Sequence, residues 1–182
     1  MHLNRHIVIT GIPASGKSTV GLIIARRINL EFLDKDEILE SLFETKGIGD
    51  AEWRSKLSRE SDRLLEERAM NSDGAVIVSW WRHPLSKSTS GTPVDWLSQL
   101  TSNVVEVYCT CDPTVAATRF QQRRRHDGHL DRNKLHSDLV ESFKEQAAFG
   151  PLGIGRLIKV DTNQEIDEQD LICVEEIYRT TK

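Results

Sequence analysis

The chain has 182 residues, of which 38% are hydrophobic and 29% are charged, and its formal net charge is −4 at pH 7. This size and composition are typical of one globular domain with its own core. The negative net charge argues against a general nucleic-acid binder, although a local basic groove is compatible with it.

No apolar run in the sequence approaches the roughly 20 residues that span a bilayer. The first predicted strand begins so early that no signal peptide is expected ahead of it. Three cysteines, Cys109, Cys111 and Cys173, lie mostly in apolar stretches. They favour free thiols in a reducing compartment over a disulfide framework, so a cytoplasmic location is expected.

Short apolar runs alternate with segments of helical periodicity along the chain. The apolar runs predict strands at 5–10, 30–33, 75–78, 104–109 and 156–160. Helical spacing predicts helices at 17–29, 37–44, 51–71, 93–100, 134–146 and 167–178, and Asp112-Pro113 predicts the start of a further helix. This alternation predicts a three-layer α/β fold around a parallel sheet. No repeat or shift in composition divides the chain, so residues 1–182 are expected to form a single domain.

A glycine-bounded loop lies between the first predicted strand and the first predicted helix. Its sequence, Gly11-Ile12-Pro13-Ala14-Ser15-Gly16-Lys17-Ser18-Thr19, matches G-x-x-x-x-G-K-[ST] in the strand–loop–helix context that this motif requires. The glycines let successive N–H groups surround a phosphate, and the following helix directs its positive dipole end at the same anion.

The loop therefore predicts a binding site for ATP and Mg²⁺. Lys17 is expected to reach the β- and γ-phosphates, and the Ser18 hydroxyl is expected to ligate Mg²⁺. The predicted nucleotide contacts in the loop are Gly11, Ala14, Ser15, Gly16, Lys17, Ser18 and Thr19.

Two aspartates, Asp34 and Asp36, follow the second predicted strand, at the sheet edge where ligands bind in open α/β folds. If the chain is extended there, the two carboxylates point to opposite sides. Asp36 is then a candidate base that orients or deprotonates a substrate hydroxyl, while Asp34 reaches the substrate or the water shell of Mg²⁺. The simpler alternative is that one aspartate only caps the following helix.

A basic run contains Arg119, Arg123, Arg124 and Arg125 and precedes a break between two predicted helices. A charge run is most often a solvated face, but the Gly- and His-containing break favours a mobile lid over residues 119–133. Arg123 is the candidate for stabilising charge on the transferring phosphoryl group, and Arg119 is expected near the adenine or the phosphates.

Aromatic and basic side chains follow the third predicted strand as Ser79-Trp80-Trp81-Arg82. Trp80 and Arg82 are candidates for lining an acceptor pocket, whereas at least one tryptophan is expected to pack under the adjacent Ser/Thr/Gly loop. Arg54 is a further candidate, although its helix carries many charges of the kind that are usually only solvated. A switch-type NTPase usually has an aspartate for Mg²⁺ where this chain has Ser79, which disfavours motors and switches.

These motifs resemble those of the small-molecule kinases in the nucleoside-monophosphate-kinase-like P-loop superfamily. The segment Phe32-Leu33-Asp34-Lys35-Asp36 resembles the F-x-D-x-D of shikimate and gluconate kinases, Ser79 is similar to the serine of gluconate kinases, and Arg119 with Arg123 matches the R-x-x-x-R of their lid helix. The resemblance implies a P-loop NTPase fold with a central five-stranded parallel sheet and a helical lid. It also implies that the two carboxylates contact the acceptor hydroxyl and the Mg²⁺ shell.

The chain also departs from each subfamily. Shikimate kinases have a triple glycine where this chain has Ser79-Trp80-Trp81, and polynucleotide 5′-hydroxyl kinases have an arginine at the position of Leu39. Cys111-Asp112-Pro113 instead resembles chloramphenicol phosphotransferases and a broad group of uncharacterised P-loop kinases.

The leading hypothesis is ATP-dependent phosphotransfer to a hydroxyl of a small metabolite, such as a sugar acid or an antibiotic-like polyol. The predicted acceptor contacts are Asp34, Asp36, Arg54, Trp80 and Arg82. One alternative is a polynucleotide 5′-hydroxyl kinase that uses the arginine run as its groove. Another is a nucleotide-binding regulatory ATPase that has no small-molecule acceptor. The sequence identifies neither the acceptor nor the oligomeric state.

Overall fold

The strands form one parallel sheet in a computed structural model that describes residues 5–100, 104–130 and 134–180. The strands are β1 (Ile7–Thr10), β2 (Glu31–Asp34), β3 (Ala75–Val78), β4 (Val105–Thr110) and β5 (Arg156–Asp161). Their spatial order is β2-β3-β1-β4-β5, with every neighbouring pair parallel. The five predicted strands are therefore confirmed, with ends displaced by no more than two residues.

Six α-helices connect and cover the strands among the described residues. They are α1 (Lys17–Ile28), α2 (Lys35–Lys46), α3 (Ala51–Asn71), α4 (Pro113–Gln122), α5 (His136–Phe149) and α6 (Glu168–Thr180). Asp112 caps α4 by accepting from the N–H of Thr114, as the Asp-Pro signature predicts. The helix expected over 93–100 is only a short 3₁₀ helix, Asp95–Gln99, which buries Trp96 and Leu97 against the sheet.

Side chains of alternate strand residues fill two core layers on opposite faces of the sheet. Ile7 and Ile9 pack with α1 and α6, whereas Val8 packs with α3 and the 3₁₀ helix. A smaller cluster joins α4 to α5 and includes Ile12 of the loop after β1. In the described parts of the chain, no helix has the length and apolarity needed to cross a membrane.

All five strands end at the same edge of the sheet, because they are parallel. The register places Asp34 at the end of β2 beside Val78 at the end of β3, and Thr10 at the end of β1 beside Tyr108. The loop after β1 and the start of α2 are thus brought to one edge, although they are far apart in the chain.

Two ion pairs fasten α2 to α3. The Lys35 ammonium lies 2.6 Å from an Asp62 oxygen and 3.2 Å from the Ser58 hydroxyl, with side-chain exposures of 10% for Lys35 and 18% for Asp62. The second pair, Lys46 and Glu60, has the same 2.6 Å separation but exposures of 42% and 27%. Lys35 stands between Asp34 and Asp36, so the buried pair holds that part of the chain against α3.

Replacing Lys35 by Met should destabilise the protein by about 2 kcal/mol, because Asp62 would lose its partner in a mostly buried position. Lys46→Met, which breaks the matched exposed pair, should cost less than about 1 kcal/mol. Urea unfolding of both variants measures the difference. Equal losses would show that Lys35 does not anchor α2.

Candidate active site

The loop between β1 and α1 is shaped to hold a phosphate. Gly11 and Gly16 have φ angles of 133° and 84°, which side-chain-bearing residues rarely adopt, and a Cβ on Gly11 would lie 2.6 Å from the Cys109 carbonyl oxygen. The Ser15 hydroxyl is buried and has no hydrogen-bond partner among the described residues. Since Gly16 precedes α1 without a side chain to occupy the first-turn N–H groups, these donors suit an anion.

Lys17 begins α1, and its side chain contacts the loop. Its ammonium donates to the carbonyl oxygens of Gly11, at 3.0 Å, and Ile12, at 2.7 Å. Burial lowers the pKa of Lys17 to about 8, partly offset by Cys109, Asp36 and Asp34, while Arg123 lowers it further. A phosphate beside the ammonium would supply the counter-charge that this buried cation lacks.

Asp34 connects the phosphate loop to α2. Its carboxylate accepts a hydrogen bond from the Ser18 hydroxyl at 2.5 Å and another from the Asp36 N–H at 2.9 Å. Burial raises the pKa of Asp34 to about 6, and the bond from Ser18 partly opposes this rise. Asp34 therefore caps α2 and contacts the candidate metal ligand at the same time. Asp36 lies in the first helical turn, so the two aspartates do not lie on an extended chain.

The Ser18 hydroxyl and the Asp34 carboxylate fit a magnesium ion. Both are hard oxygen donors, and both lie at the phosphate-binding end of α1. Mg²⁺ in nucleotide sites usually takes one or two protein oxygens and completes its shell with phosphate oxygens and water. Ser18 would ligate the ion directly, and Asp34 would hold its water.

The segment after α4 packs over Asp36. Arg125 lies with a guanidinium nitrogen 2.5 Å from an Asp36 carboxylate oxygen, and its side chain is only 16% exposed. His129 contacts Glu40 at 2.9 Å through its Nε2, and its carbonyl oxygen accepts from Arg54 Nε at 2.8 Å. This segment therefore contacts Asp36 of α2 through Arg125 and Arg54 of α3 through His129.

An aromatic cluster completes this contact. The Phe43 ring stacks on His126, with centroids 5.2 Å apart, and meets His129 edge-on at 5.6 Å. Residues Asp36, Glu40 and Phe43 follow the i, i+4, i+7 spacing of one helix face. Sequence reasoning did not assign Glu40, Phe43 or His129, although that spacing after Asp36 is a signal that could have identified the first two.

Arg119 and Arg123 lie near the C-terminal end of α4. Arg119 donates to the carbonyl oxygens of Thr162 at 2.8 Å and Asn163 at 3.2 Å, and Thr162 borders Gly16. Arg123 ends α4 with its guanidinium 4.4 Å from the centre of the Phe120 ring. Arg119 belongs to α4, so the start of the predicted lid is helical. Residues 131–133 lie outside the described part of the chain. A mobile lid over 119–133 therefore stays a prediction.

The aromatic segment after β3 divides between core and cavity. Trp81 is buried and donates its indole N–H to the Ile9 carbonyl oxygen at 2.8 Å, so it is the tryptophan that packs inside. Trp80 is 43% exposed and bonds Gln146 of α5. Trp80 and Arg82 line a cavity whose lining does not include Asp34, Asp36 or Arg54. The structure therefore places Arg54 against the segment that covers Asp36, whereas Trp80 and Arg82 line a cavity that includes neither residue.

Ser79 supports the loop after β3. Its hydroxyl lies 2.5 Å from that of Thr92, and both residues are buried. Backbone hydrogen bonds from Arg82 to Thr92 and from Thr92 to Trp80 close the same loop. The serine at this position thus has a structural partner.

The model of the AAA domain family matches residues 7–148. The chain belongs to this family. Shikimate kinases are among its curated relatives: that of Sulfurihydrogenibium sp. is 33% identical over 81 residues, or 40% of this chain and 45% of the relative. That of Geobacter sulfurreducens is 38% identical over 72 residues, or 40% of this chain and 38% of the relative. The chain therefore spans less than half the length of these curated relatives.

Solved structures show the same fold. A candidate kinase of Chloroflexus aurantiacus has a TM-score of 0.79 at 22% identity, over 100% of both chains. A gluconokinase of Sinorhizobium meliloti 1021 has a TM-score of 0.58 at 20% identity, over 97% of this chain and 95% of that one. A shikimate kinase of Acinetobacter baumannii in complex with shikimate has a TM-score of 0.60 at 14% identity, over 99% and 95%. The expected P-loop α/β fold is confirmed.

Replacing Arg125 by Gln should loosen residues 125–130, because the ion pair with Asp36 would be lost from a largely buried position. Hydrogen–deuterium exchange of this segment is expected to rise. Arg124→Gln is the matched control, since Arg124 forms no ion pair among the described residues. Equal exchange in the two variants would contradict the docking role of Arg125.

His129 should make the stability of the protein depend on pH. Burial and the nearby Arg125 lower the pKa of His129 below its ordinary 6.5, although Asp36 and Glu40 act in the opposite direction. The unfolded chain then binds the proton more readily, so stability falls as the pH drops below about 6.5. Urea unfolding should show a larger loss between pH 7.5 and pH 5.5 for the wild type than for His129→Gln. If the wild type and His129→Gln lose the same amount of stability between pH 7.5 and pH 5.5, His129 is not the group that titrates.

Proposed function

We propose that the protein transfers the γ-phosphoryl group of ATP to a hydroxyl group of a small metabolite. One observation carries the proposal: Asp34 accepts hydrogen bonds from the Ser18 hydroxyl and from the Asp36 backbone N–H, so the residue that bears a second carboxylate begins its helix beside the phosphate loop. A protein that only binds ATP and Mg²⁺ would need the Asp34 carboxylate near the metal but no second carboxylate. Asp36 is a group that could receive an acceptor hydroxyl.

The donor half consists of the loop residues Gly11, Ala14, Ser15, Gly16, Lys17, Ser18 and Thr19. Backbone N–H groups at the start of α1 would bind the β- and γ-phosphates, and Lys17 would pair with their oxygens. Mg²⁺, when bound at Ser18, neutralises charge on these phosphates. Lys17 and Asp34 are both buried, so the site excludes much of the water that would weaken their electrostatic effects.

The acceptor half centres on Asp36. Its carboxylate would accept the proton of the acceptor hydroxyl, or orient that hydroxyl toward the γ-phosphorus. Arg125 contacts this carboxylate in the structure, so the acceptor would take the place of the guanidinium or share the carboxylate with it. Arg54, which donates to the His129 carbonyl oxygen of the same segment, would offer a second guanidinium to an anionic group of a sugar acid.

Arg123 and Arg119 complete the proposed site. The positive charge of Arg123 lowers the pKa of Lys17. Arg123 would cover the migrating phosphoryl group, whose oxygens carry spread negative charge. Arg119, held by the carbonyl groups after β5, would lie beside the base or the phosphates of the nucleotide.

The comparisons support a kinase reaction on a small molecule. The relatives named shikimate kinase and gluconokinase share the fold or part of the sequence. The proposed acceptor class is a sugar acid or an antibiotic-like polyol. The three cysteines are all free thiols, which favours a location in the cytoplasm.

A metabolite screen for acceptor-dependent ADP release tests the proposal. Once the screen has identified an acceptor that the protein phosphorylates, Asp36→Asn should lower kcat for it by about 10²–10⁴-fold, because the amide cannot accept the hydroxyl proton. Binding of Mg²⁺–ADP should stay at the wild-type level, since Asp36 lies on the acceptor side. Asp73→Asn, in the turn before β3, is the matched control and should keep full activity.

Full acceptor phosphorylation by Asp36→Asn would overturn the assigned base. ADP release that no metabolite stimulates would overturn the phosphotransferase itself and favour a nucleotide-binding regulator. Steeply salt-dependent phosphorylation of short oligonucleotides would instead favour a polynucleotide kinase.

A further inference from the structure

A carboxylate that has no cationic partner lies inside the sheet. Glu106 of β4 is fully buried, and it forms no ion pair with any residue that the structure describes. A carboxylate in such a position is costly unless hydrogen bonds satisfy both of its oxygens. The proposed reaction does not use this side chain, so its presence needs another explanation.

Three hydrogen bonds reach Glu106 from the loop between α5 and β5. Its Oε1 accepts from the Leu152 N–H at 2.7 Å, and its Oε2 accepts from the N–H groups of Gly153 at 2.8 Å and Ile154 at 3.3 Å. Gly153 has a φ angle of 76°, a left-handed conformation that turns successive N–H groups toward one anion. The loop at 152–154 is therefore shaped around the carboxylate and fixes its orientation.

A fourth hydrogen bond reaches Glu106 from the last residue of β1. Thr10 is buried, and its hydroxyl donates to Glu106 Oε1 at 2.8 Å. The next residue is Gly11, whose carbonyl oxygen accepts from the Lys17 ammonium at 3.0 Å. Gly11 lies so close to β4 that an added Cβ would meet the Cys109 carbonyl oxygen at 2.6 Å. The conformation in which β1 enters the phosphate loop therefore depends on how Thr10 is held.

We propose that Glu106 is a positioning residue for the phosphate loop. The 152–154 loop anchors its carboxylate, the carboxylate fixes Thr10, and Thr10 sets Gly11 for Lys17 and for the phosphates of a nucleotide. Glutamine could not replace Glu106, because its NH₂ group would face other donors. The inference rests on the nucleotide-binding half of the proposed function and on no step of phosphoryl transfer.

Thr10→Val tests this role, because it removes one donor and nearly preserves the shape of the side chain. Glu106 keeps its three backbone hydrogen bonds in this variant, so only the end of β1 should loosen. Calorimetry should show Mg²⁺–ADP binding about 3–10-fold more weakly, because a smaller fraction of the protein has a binding-competent loop. Thr10→Ser keeps the donor and should bind as the wild type does.

Thr110→Val is the matched control. Thr110 ends β4, and its hydroxyl donates to the Val160 carbonyl oxygen at 3.2 Å, so the variant also loses one hydrogen bond at a strand end. Its affinity for Mg²⁺–ADP should equal that of the wild type. Thermal unfolding of every variant shows whether a change in affinity occurs in a folded protein.

Hydrogen–deuterium exchange gives a local readout of the same connection. Thr10→Val should raise exchange over 11–16 and leave 152–154 unchanged, whereas Glu106→Gln should raise exchange in both segments. Glu106→Gln should also weaken Mg²⁺–ADP at least as much as Thr10→Val does. In the Glu106→Gln background, Thr10→Val should add little, because Thr10 acts through Glu106. If Glu106→Gln does not fold, the two Thr10 variants still decide the question.

Wild-type affinity for Mg²⁺–ADP in folded Thr10→Val would overturn the inference and leave the proposed function intact. Equal weakening by Thr10→Val and Thr110→Val would overturn it as well, since any lost hydrogen bond at a strand end would then have the same effect. So would weak binding by Thr10→Ser. A wild-type protein that does not bind Mg²⁺–ADP would instead remove the donor site of the proposed function, and this inference with it.

Discussion

The partly buried hydrogen bond between the Ser18 hydroxyl and the Asp34 carboxylate joins the two halves of the candidate site. Ser18 lies in the first turn of α1, after the phosphate loop, and Asp34 ends β2 and caps α2. Because the bond connects segments that are held by different strands, it depends on the register of the whole sheet. In return, it determines where α2 starts and therefore where Asp36 lies relative to the nucleotide.

Positive and negative side chains lie close to this bond, and several of them are buried. Burial disfavours the charged forms of both Lys17 and Asp34, and it shifts their pKa values toward each other, to about 8 and about 6. Arg125 adds a positive charge next to Asp36. Burying charged groups of this kind is costly unless other charges accompany them, and a triphosphate with Mg²⁺ would add charges of both signs.

Helix α2 uses one face to pack against α3 and another to contact the segment after α4, which accounts for the charged residues on both faces. Lys35 points toward α3 and pairs with Asp62, whereas Asp36, Glu40 and Phe43 meet the segment that carries Arg125 and His129. One face fixes the helix and the other receives a segment that packs against it. The segment over 93–100 illustrates the limit of local prediction: Pro93 at the expected first turn predicted a helix, but the structure has only a short 3₁₀ helix there, whose Trp96 and Leu97 pack on the sheet.

The sequence by itself determined the parallel sheet, its five strands and the phosphate loop, because buried strands are apolar runs and a phosphate loop needs glycines and lysine at set positions. It also indicated Asp34, which ends β2 at the ligand edge, and Asp36, which follows in the first turn of α2. Only the tertiary structure decided which distant residues meet them. Arg125 contacts Asp36, and Trp80 turns toward α5, because packing between α-helices and loops depends on contacts across the fold and leaves no local pattern.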